Sequence, residues 1–266
     1  MTAMDMPVLA FATGSKDGGG SGVRNLIEAS HLNSGPGALG ITRLYAYEII
    51  GIISNHENGG VRKIADKNNI PFRHMTDFSA DSYLKYLQEF NPNLVALSGW
   101  LKYVLGIPFN GCINIHPGPV GEYGGEGMHG HHVHEKIYTD WKAGKIDRTC
   151  VTMHFVTYDK DNSATKTKLY DRGPVIFQLP VEINPENCAD ENLQITPDSI
   201  GKAVNRMEHV YQPIITALVA SGKIRWSGVE GDHVIFPDGY FSHLEVNLKG
   251  QIPSCPTLEI LKGFLD

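Results

Sequence analysis

An asparagine and a histidine two residues apart are the residues best suited to chemistry in this sequence. Asn114 and His116 stand in CINIHP, where an apolar run of strand length meets Pro117, which stops the strand. Alternate residues of a strand project from one face, so both side chains can act on one bound atom. An amide donor beside an imidazole can stabilise an oxyanion and supply a proton, as acyl transfer to an amine requires. A buried, hydrogen-bonded core histidine is the alternative interpretation.

A carboxylate that can join this pair stands in LYDRGPVIFQ. Asp171 precedes Gly173 and Pro174, which are typical of a turn, and another strand-like run follows. We expect Asp171 to face the same cleft and its charge to raise the pKa of His116 above its usual value of about 6.5. An ordinary turn aspartate is the alternative, and Asp159 or Asp161 would take the carboxylate role if Asp171 were displaced.

A glycine-rich segment, ATGSKDGGGSGVRNL, lies where the first strand-like run meets the first helix-like stretch. Backbone N–H groups and a helix N-terminus at such a junction can hold a phosphate. GSGVRN lacks the third glycine of a dinucleotide fingerprint, and SNHEN after the second strand offers no clear ribose-binding acid. The sequence therefore favours a single phosphate group and disfavours an NAD-dependent dehydrogenase. A surface loop without a ligand is the alternative.

The elements that must position these motifs alternate along the first half of the chain. Strand-length apolar runs occupy residues 7–13, 49–54, 94–98 and 112–115, and helix-like stretches occupy residues 22–34, 60–69 and 79–90. This alternation predicts an α/β fold with a doubly wound, mostly parallel open sheet of the Rossmann type. Such sheets bind ligands at the carboxyl ends of their strands, where the motifs lie.

The second half of the chain has a different pattern. Residues 151–157 and 173–183 read as strands, and the polar stretch between them reads as an exposed loop or hairpin. A long C-terminal helix is predicted at residues 197–221, closed by Gly222, and a short β-rich tail follows it. We assign residues 1–226 to one domain and residues 227–266 to an extension packed on the same domain.

Composition narrows the classes of partner and compartment. The 266 residues are 41% hydrophobic, and the net charge of −6 with scattered basic residues argues against a nucleic-acid partner. No membrane segment is predicted, and the first residues lack the basic region of a signal peptide, so we expect a cytoplasmic protein. Four widely spaced cysteines, Cys112, Cys150, Cys188 and Cys255, read as reduced and structural. The oligomeric state stays open, a homodimer being one alternative.

With these motifs in hand, the chain resembles the formyl-folate-dependent formyltransferases over residues 7–226. The resemblance is carried by the glycine loop ending in RNL, by SNHENGGVRKIADKNNIP, NPNLVALSGWLKYV, NIHP, HFVT and YDRGPVI, and by RMEHVYQP in the last helix. The NIHP and DRGPVI motifs are typical of the superfamily. Glu208 and His209 favour those of its members that act on a ribonucleotide.

The resemblance implies a direct transfer of a formyl group from 10-formyltetrahydrofolate, as co-substrate, to the amine of glycinamide ribonucleotide, without a metal. Asn114, His116 and Asp171 would be catalytic: Asn114 and protonated His116 would stabilise a tetrahedral oxyanion, and Asp171 would orient His116. The substrate phosphate and ribose would lie at Gly20, Ser21, Gly22 and Glu208. The folate would lie at Leu101, Lys102, Tyr103, Val104 and Tyr170.

The sequence departs from the family pattern in three places, namely a longer first loop, HPGPVG at residues 116–121 in place of the commoner HPSLLP, and an insertion between Thr157 and Tyr170. Alternative functions are an N-formyltransferase for an amino-sugar nucleotide, a methionyl-tRNA formyltransferase, a formyl-folate hydrolase and a non-catalytic folate or nucleotide sensor. The amino-sugar enzyme is disfavoured mainly by Glu208 and His209. The intact Asn114, His116 and Asp171 set argues against the sensor.

A run of histidines, HGHHVH at residues 129–134, offers a second interpretation of the same region. Imidazoles are common zinc ligands, but no cysteine or carboxylate stands at finger-like spacing. We therefore expect a loop that enters a helix beside the substrate, with His132 or His134 lining the cleft.

Overall fold

The computed structural model describes residues 6–16, 18–31, 47–158, 170–240, 248–249 and 258–265. Its seven strands are β1 (Met6–Phe11), β2 (Tyr47–Ser54), β3 (Phe72–His74), β4 (Leu94–Leu97), β5 (Cys112–His116), β6 (Arg148–Phe155) and β7 (Val175–Glu182). Its α-helices are α1 (Ser21–His31), α2 (Gly60–Lys67), α3 (Ala80–Phe90), α4 (His131–Lys142), α5 (Pro185–Cys188), α6 (Pro197–Ala220) and α7 (Leu258–Gly263).

The strands form one sheet in the order β3-β2-β1-β4-β5-β6-β7. The pairings from β3 through β5 are parallel, whereas β6 pairs antiparallel with both β5 and β7. The chain leaves β1 toward β2 on one side and later returns to β4 on the other, so the strand order reverses between β1 and β4. Open α/β sheets bind ligands in the crevice at such a point. The mostly parallel, doubly wound sheet expected from the sequence is confirmed.

Helices cover both faces of the sheet and bury two hydrophobic clusters. The larger cluster joins α1, α4 and α6 to the sheet, and buried side chains such as Leu26, Ile137 and Leu218 belong to it. The smaller cluster includes Tyr83 of α3 and Trp100 after β4. Both faces of the central strands are therefore closed to water, which is why β4 and β6 are buried along their whole length.

The long helix α6 begins and ends close to the predicted residues. The Thr196 hydroxyl accepts a hydrogen bond from the backbone N–H of Ser199, and the Ser199 hydroxyl accepts one from the N–H of Thr196, so the two residues form a capping box. Pro197 occupies the first turn, where its missing N–H costs nothing. Gly222 follows with a φ of 72°, a left-handed conformation that favours glycine.

Some boundaries differ from the sequence prediction. The first helix ends at His31 among the described residues, and β3 was not predicted because three residues give no period. Between residues 222 and 240 the β structure is a bridge from Arg225 to Ile235. Tyr240 and Leu261 are buried in the larger core cluster. The division at residue 226 stays a prediction.

Three of the cysteines, Cys112, Cys150 and Cys188, are buried free thiols, and Cys255 lies outside the described residues. Burial raises the pKa of the Cys150 thiol to about 12, so this thiol is protonated and unreactive at neutral pH. Among the described helices, none is long and apolar enough to cross a membrane.

Candidate active site

A cleft beside the predicted motifs opens at the carboxyl ends of β1, β4 and β5. Its volume is about 340 Å³, and its walls come from the loops after these strands, the first turn of α1 and one side of α6. Asn114, His116 and Asp171 all line it. The predicted substrate-binding and folate-binding residues that line it are Gly20, Ser21, Gly22, Leu101, Tyr170 and Glu208.

The three predicted catalytic side chains are in contact. The Asn114 amide Nδ2 donates a hydrogen bond to Asp171 Oδ1 at 3.3 Å, and Nδ1 of His116 lies 3.8 Å from Asp171 Oδ2. His116 Nε2 lies 2.8 Å from the carbonyl oxygen of Tyr123. Because a carbonyl only accepts, Nε2 carries the proton of the neutral ring and Nδ1 presents a lone pair toward Asp171. Asp159 and Asp161, the alternatives for the carboxylate, lie outside the described residues.

Backbone geometry fixes the Asp171 carboxylate. Asp171 has a φ of 53°, a left-handed conformation that aspartate tolerates better than most residues do, and the Gly125 N–H donates to its Oδ2 at 3.2 Å. Two residues later, a Cβ on Gly173 would lie 1.7 Å from the carbonyl oxygen of Phe155. Only glycine therefore allows the turn to pass so close to the end of β6.

A second histidine, His154, completes the cluster and was missed by the sequence analysis. It lies opposite Asn114 in the antiparallel pairing of β5 and β6, and its Nε2 is 3.5 Å from Asp171 Oδ1 and 3.3 Å from Asn114 Nδ2. HFVT was noted as part of the resemblance, but the partner of a strand residue depends on a register that the sequence does not state. An alternation of polar residues at Thr152 and His154 was the available signal.

The protonation of His116 corrects one expectation. Burial lowers the pKa of His116 below its usual value, and this effect outweighs the neighbouring Asp171 charge, which acts in the opposite direction. The predicted rise in the pKa of His116 is therefore wrong for the free protein. The prediction rested on the Asp171 charge alone and did not include the effect of burial. Burial also opposes ionisation of Asp171, but the hydrogen bond from His154 and the fields of both histidines lower the pKa of Asp171 to about 2. The free site therefore holds a neutral imidazole beside a carboxylate.

The glycine loop brings the N-terminus of α1 to the cleft. A Cβ on Gly22 would lie 2.1 Å from the Ser98 hydroxyl, so the absent side chain lets the first turn of α1 rest on the end of β4. Gly20 has a φ of 83° and Ser21 begins the helix. Backbone N–H groups of a first helical turn are free to bind an anion.

Helix α6 supplies the opposite wall through Asn205, Glu208 and Gln212. Asn205 Nδ2 donates to Glu208 Oε2 at 3.0 Å, and burial raises the pKa of Glu208. Pro213 lies inside the helix and has no N–H for the carbonyl of His209, four residues earlier. The Asn25 amide of α1 donates to that carbonyl instead. This hydrogen bond joins the two helices on either side of the cleft.

A smaller cavity of about 40 Å³ lies on the other side of Asn114 and Asp171. Lys102, Tyr103, Val104 and Tyr170, four of the predicted folate residues, line it, together with His154. The Tyr103 and Tyr170 rings stack with centroids 5.2 Å apart. Leu101 lines only the larger cleft, where its backbone N–H donates to the Thr13 hydroxyl at 3.0 Å and its carbonyl accepts from the Tyr170 hydroxyl at 3.3 Å.

The histidine run divides among different partners. His131 lies 3.1 Å from Asp198 and 3.3 Å from Glu135, and His132 also lies 3.3 Å from Glu135. Of the two histidines expected in the cleft, His134 lines it and His132 does not. In the described part of the chain, no group of three or more His, Cys, Asp or Glu residues could hold a metal ion.

Comparison with known proteins gives no matching family model. A chloroplastic phosphoribosylglycinamide formyltransferase of Arabidopsis thaliana is 23% identical over 222 residues, which are 79% of this chain and 65% of that protein. A methionyl-tRNA formyltransferase of Thermotoga maritima is 24% identical over 135 residues, 49% of this chain and 37% of that protein. The matches thus span less than two thirds of either relative.

A solved structure gives the comparison of folds. The phosphoribosylglycinamide formyltransferase of Coxiella burnetii superposes with a TM-score of 0.64 at 21% identity, covering 87% of this chain and 93% of that one. The chain has the fold of the phosphoribosylglycinamide formyltransferases.

Proposed function

We propose that this protein transfers the formyl group of 10-formyltetrahydrofolate to the amine of glycinamide ribonucleotide. The observation that carries the proposal is the position of Asn114 and Asp171, which line both the larger cleft and the smaller cavity. A group transfer between two substrates needs reactive side chains at the boundary of two binding sites. The similarity to the Arabidopsis formyltransferase supports the choice of reaction.

The two cavities suggest where each substrate binds. The acceptor phosphate would bind at the first turn of α1, at Gly20, Ser21 and Gly22, where helix N–H groups favour an anion. Its ribose hydroxyls would reach Glu208. The formyl donor would bind on the side of Lys102, Tyr103, Val104 and Tyr170, with Leu101 at the boundary, and the Tyr103 and Tyr170 pair would move apart because about 40 Å³ is too small for a pterin.

The site residues account for each proton in the reaction. The acceptor amine attacks the formyl carbon, a new C–N bond forms, and the carbonyl oxygen becomes an oxyanion that Asn114 Nδ2 can stabilise. The lone pair on His116 Nδ1 takes the proton that the amine releases, and the resulting imidazolium lies beside the Asp171 carboxylate. The oxyanion then collapses, the bond to folate N10 breaks, and His116 returns the proton to N10. In these steps His116 begins as a neutral imidazole, whereas the amino-acid sequence predicted that it begins protonated.

The test is an assay of purified protein with glycinamide ribonucleotide and 10-formyltetrahydrofolate, in which deformylation of the folate is followed by absorbance. We expect turnover that depends on the acceptor and that falls at least about 100-fold in Asn114→Ala and His116→Ala. Asn110→Ala is the matched control, because Asn110 is exposed and does not line either cavity. Its turnover should equal that of the wild type.

Other outcomes would select among the alternative functions. Turnover without an acceptor would identify a hydrolase, and turnover only with an amino-sugar nucleotide or with methionyl-tRNA would identify those transferases. If the protein binds folate but shows no turnover with any acceptor, the non-catalytic sensor would be the remaining function. Each of these results would overturn the assignment to glycinamide ribonucleotide.

A further inference from the structure

A basic cavity beside the candidate site has no role in the reaction described so far. It lies between α1 and α2, next to the glycine loop, and its volume is about 690 Å³. Three cationic side chains line it, namely Arg24 of α1 and Lys63 and Lys67 of α2. Of the described residues that line it, Glu28 alone carries a carboxylate. The chain as a whole has a net charge of −6, so this positive charge is a local concentration that attracts an anion.

The two lysines of the basic cavity repel each other. Lys63 and Lys67 are four residues apart on α2, so they lie on one face of the helix, and like charges at this spacing destabilise a helix. In the part of the chain that the structure describes, neither lysine forms an ion pair, whereas Arg62 of the same helix pairs with Asp66 at 2.8 Å. An anion bound between the two lysines would remove this repulsion.

Glycines hold the first loop against α2 and leave part of the cavity wall as bare backbone. A Cβ on Gly60 would lie 2.4 Å from the carbonyl oxygen of Gly18, and a Cβ on Gly59 would lie 2.2 Å from that of Ser15. Side chains at these two positions would push the loop away from the helix. Gly18, Gly19 and Gly60 line the basic cavity, so an elongated ligand can approach their backbone closely. The first loop, which is longer than in the formyltransferase pattern, thus forms part of this cavity.

Ser21 connects the basic cavity to the candidate site. It lines both this cavity and the larger cleft, and it begins α1, where the acceptor phosphate would bind. A second phosphate linked to that one would therefore extend past Ser21 toward Lys63 and Lys67. Glycinamide ribonucleotide has one phosphate, so it would leave the basic cavity unfilled.

We propose that the basic cavity binds a polyphosphate chain, either inorganic or the tail of a nucleoside triphosphate, with one phosphate at Ser21 and the next ones at Lys63 and Lys67. Such a ligand would compete with the acceptor, because both place a phosphate at the first turn of α1. Binding of the chain depends on the cavity alone, whereas the competition rests on the proposed function.

The first test is a calorimetric titration of the purified protein with inorganic tripolyphosphate. Affinity should fall at least about tenfold in the double variant Lys63→Gln, Lys67→Gln, because two charge-assisted contacts are lost. Lys85→Gln is the matched control, since Lys85 is exposed on α3 and lines none of the described cavities, and its affinity should equal that of the wild type. Equal affinity in the wild type and the double variant would overturn the proposal.

The choice of anion tests the length and the source of the chain. Inorganic phosphate should bind at least about tenfold more weakly than tripolyphosphate, because a single phosphate cannot reach both Ser21 and the lysines. Equal affinity for the two anions would contradict a chain site. ATP separates the two sources: tighter binding than tripolyphosphate would assign the tail of a nucleotide, and binding that is no tighter would assign an inorganic chain. An RNA oligonucleotide that bound as tightly as tripolyphosphate would instead identify a nucleic-acid surface and overturn the proposal.

The formyl-transfer assay tests the competition. Tripolyphosphate should raise the KM for glycinamide ribonucleotide and leave both kcat and the KM for the formyl donor unchanged. A lower kcat at saturating acceptor would overturn the shared phosphate position at Ser21. Absence of turnover in the wild type would overturn the proposed function alone, because the calorimetric titration reports binding in the basic cavity without any reaction.

Discussion

The candidate site works as one unit of four side chains, and within it Asp171 and His116 influence each other's pKa. Asp171 contacts Asn114 directly and lies within 4 Å of His116 and His154. Its low pKa keeps a carboxylate in the cluster, while burial keeps His116 neutral until a proton is released beside it. A substitution that removes the Asp171 charge should therefore change the pKa of His116 while the ring keeps its position.

We expect Asp171→Asn to lower the pKa of His116 further, because the Asp171 charge is the main influence that raises it against burial. Asparagine tolerates the left-handed backbone and can still accept from the Gly125 N–H, so the turn should persist. The measurement is a titration of the His116 ring protons by NMR in both proteins, together with kcat, which should fall at least about 100-fold. An unchanged or higher His116 pKa in the variant would contradict this account.

At the scale of elements, the cleft depends on how α1 and α6 are held across it. Pro213 removes a helical hydrogen bond from α6, and the Asn25 amide of α1 replaces it at the His209 carbonyl. The hydrogen bond that Pro213 cannot make is thus replaced by one between Asn25 and His209, which are 184 residues apart in the chain. Two sequence segments that carry the family resemblance, RNL and EHVYQP, meet at this hydrogen bond.

A double-mutant cycle tests this compensation. Asn25→Ala should lower the free energy of unfolding by about 1–3 kcal/mol, because it leaves a carbonyl without its donor. In a Pro213→Ala background the restored helical N–H can serve the same carbonyl, so Asn25→Ala should cost about 1 kcal/mol less there. Urea unfolding of the four proteins gives the coupling. Additive effects would show that the two residues act independently.

For the molecule as a whole, buried histidines make folding sensitive to acid. Burial lowers the pKa values of His116, His134 and His209 in the folded protein, so the unfolded chain binds more protons as the pH falls. Their effect on stability is small above the usual histidine pKa and grows below it. Glu208 acts in the opposite direction, since burial raises its pKa.

We expect the free energy of unfolding to fall between pH 7 and pH 5, with His134 contributing about 2 kcal/mol of the loss, as its pKa moves from about 6.5 unfolded to about 4 folded. Urea unfolding at both pH values measures this loss. His134→Gln removes one titrating group and keeps the others, so its pH dependence should be smaller by that amount. Equal slopes in the two proteins would show that His134 titrates normally in the fold.

The sequence by itself determined the class of fold and the edge of the sheet at which chemistry occurs. Hydrophobic period and turn residues are local properties, and they place β1, β4, β5 and α6 within a few residues of their observed bounds. The same local logic put Asn114, His116 and Asp171 at strand ends and turns, where the structure brings them into contact. The oligomeric state and the compartment stay predictions.

Only the tertiary structure decided how these residues are charged and which others join them. The pKa of His116 depends on a balance between burial and a carboxylate 55 residues later in the chain, and sequence spacing does not give that balance. His154 enters through the register of β5 and β6, and His134 through the bare backbone of Gly201. These are contacts between distant segments, and their energies exist only once the chain has packed.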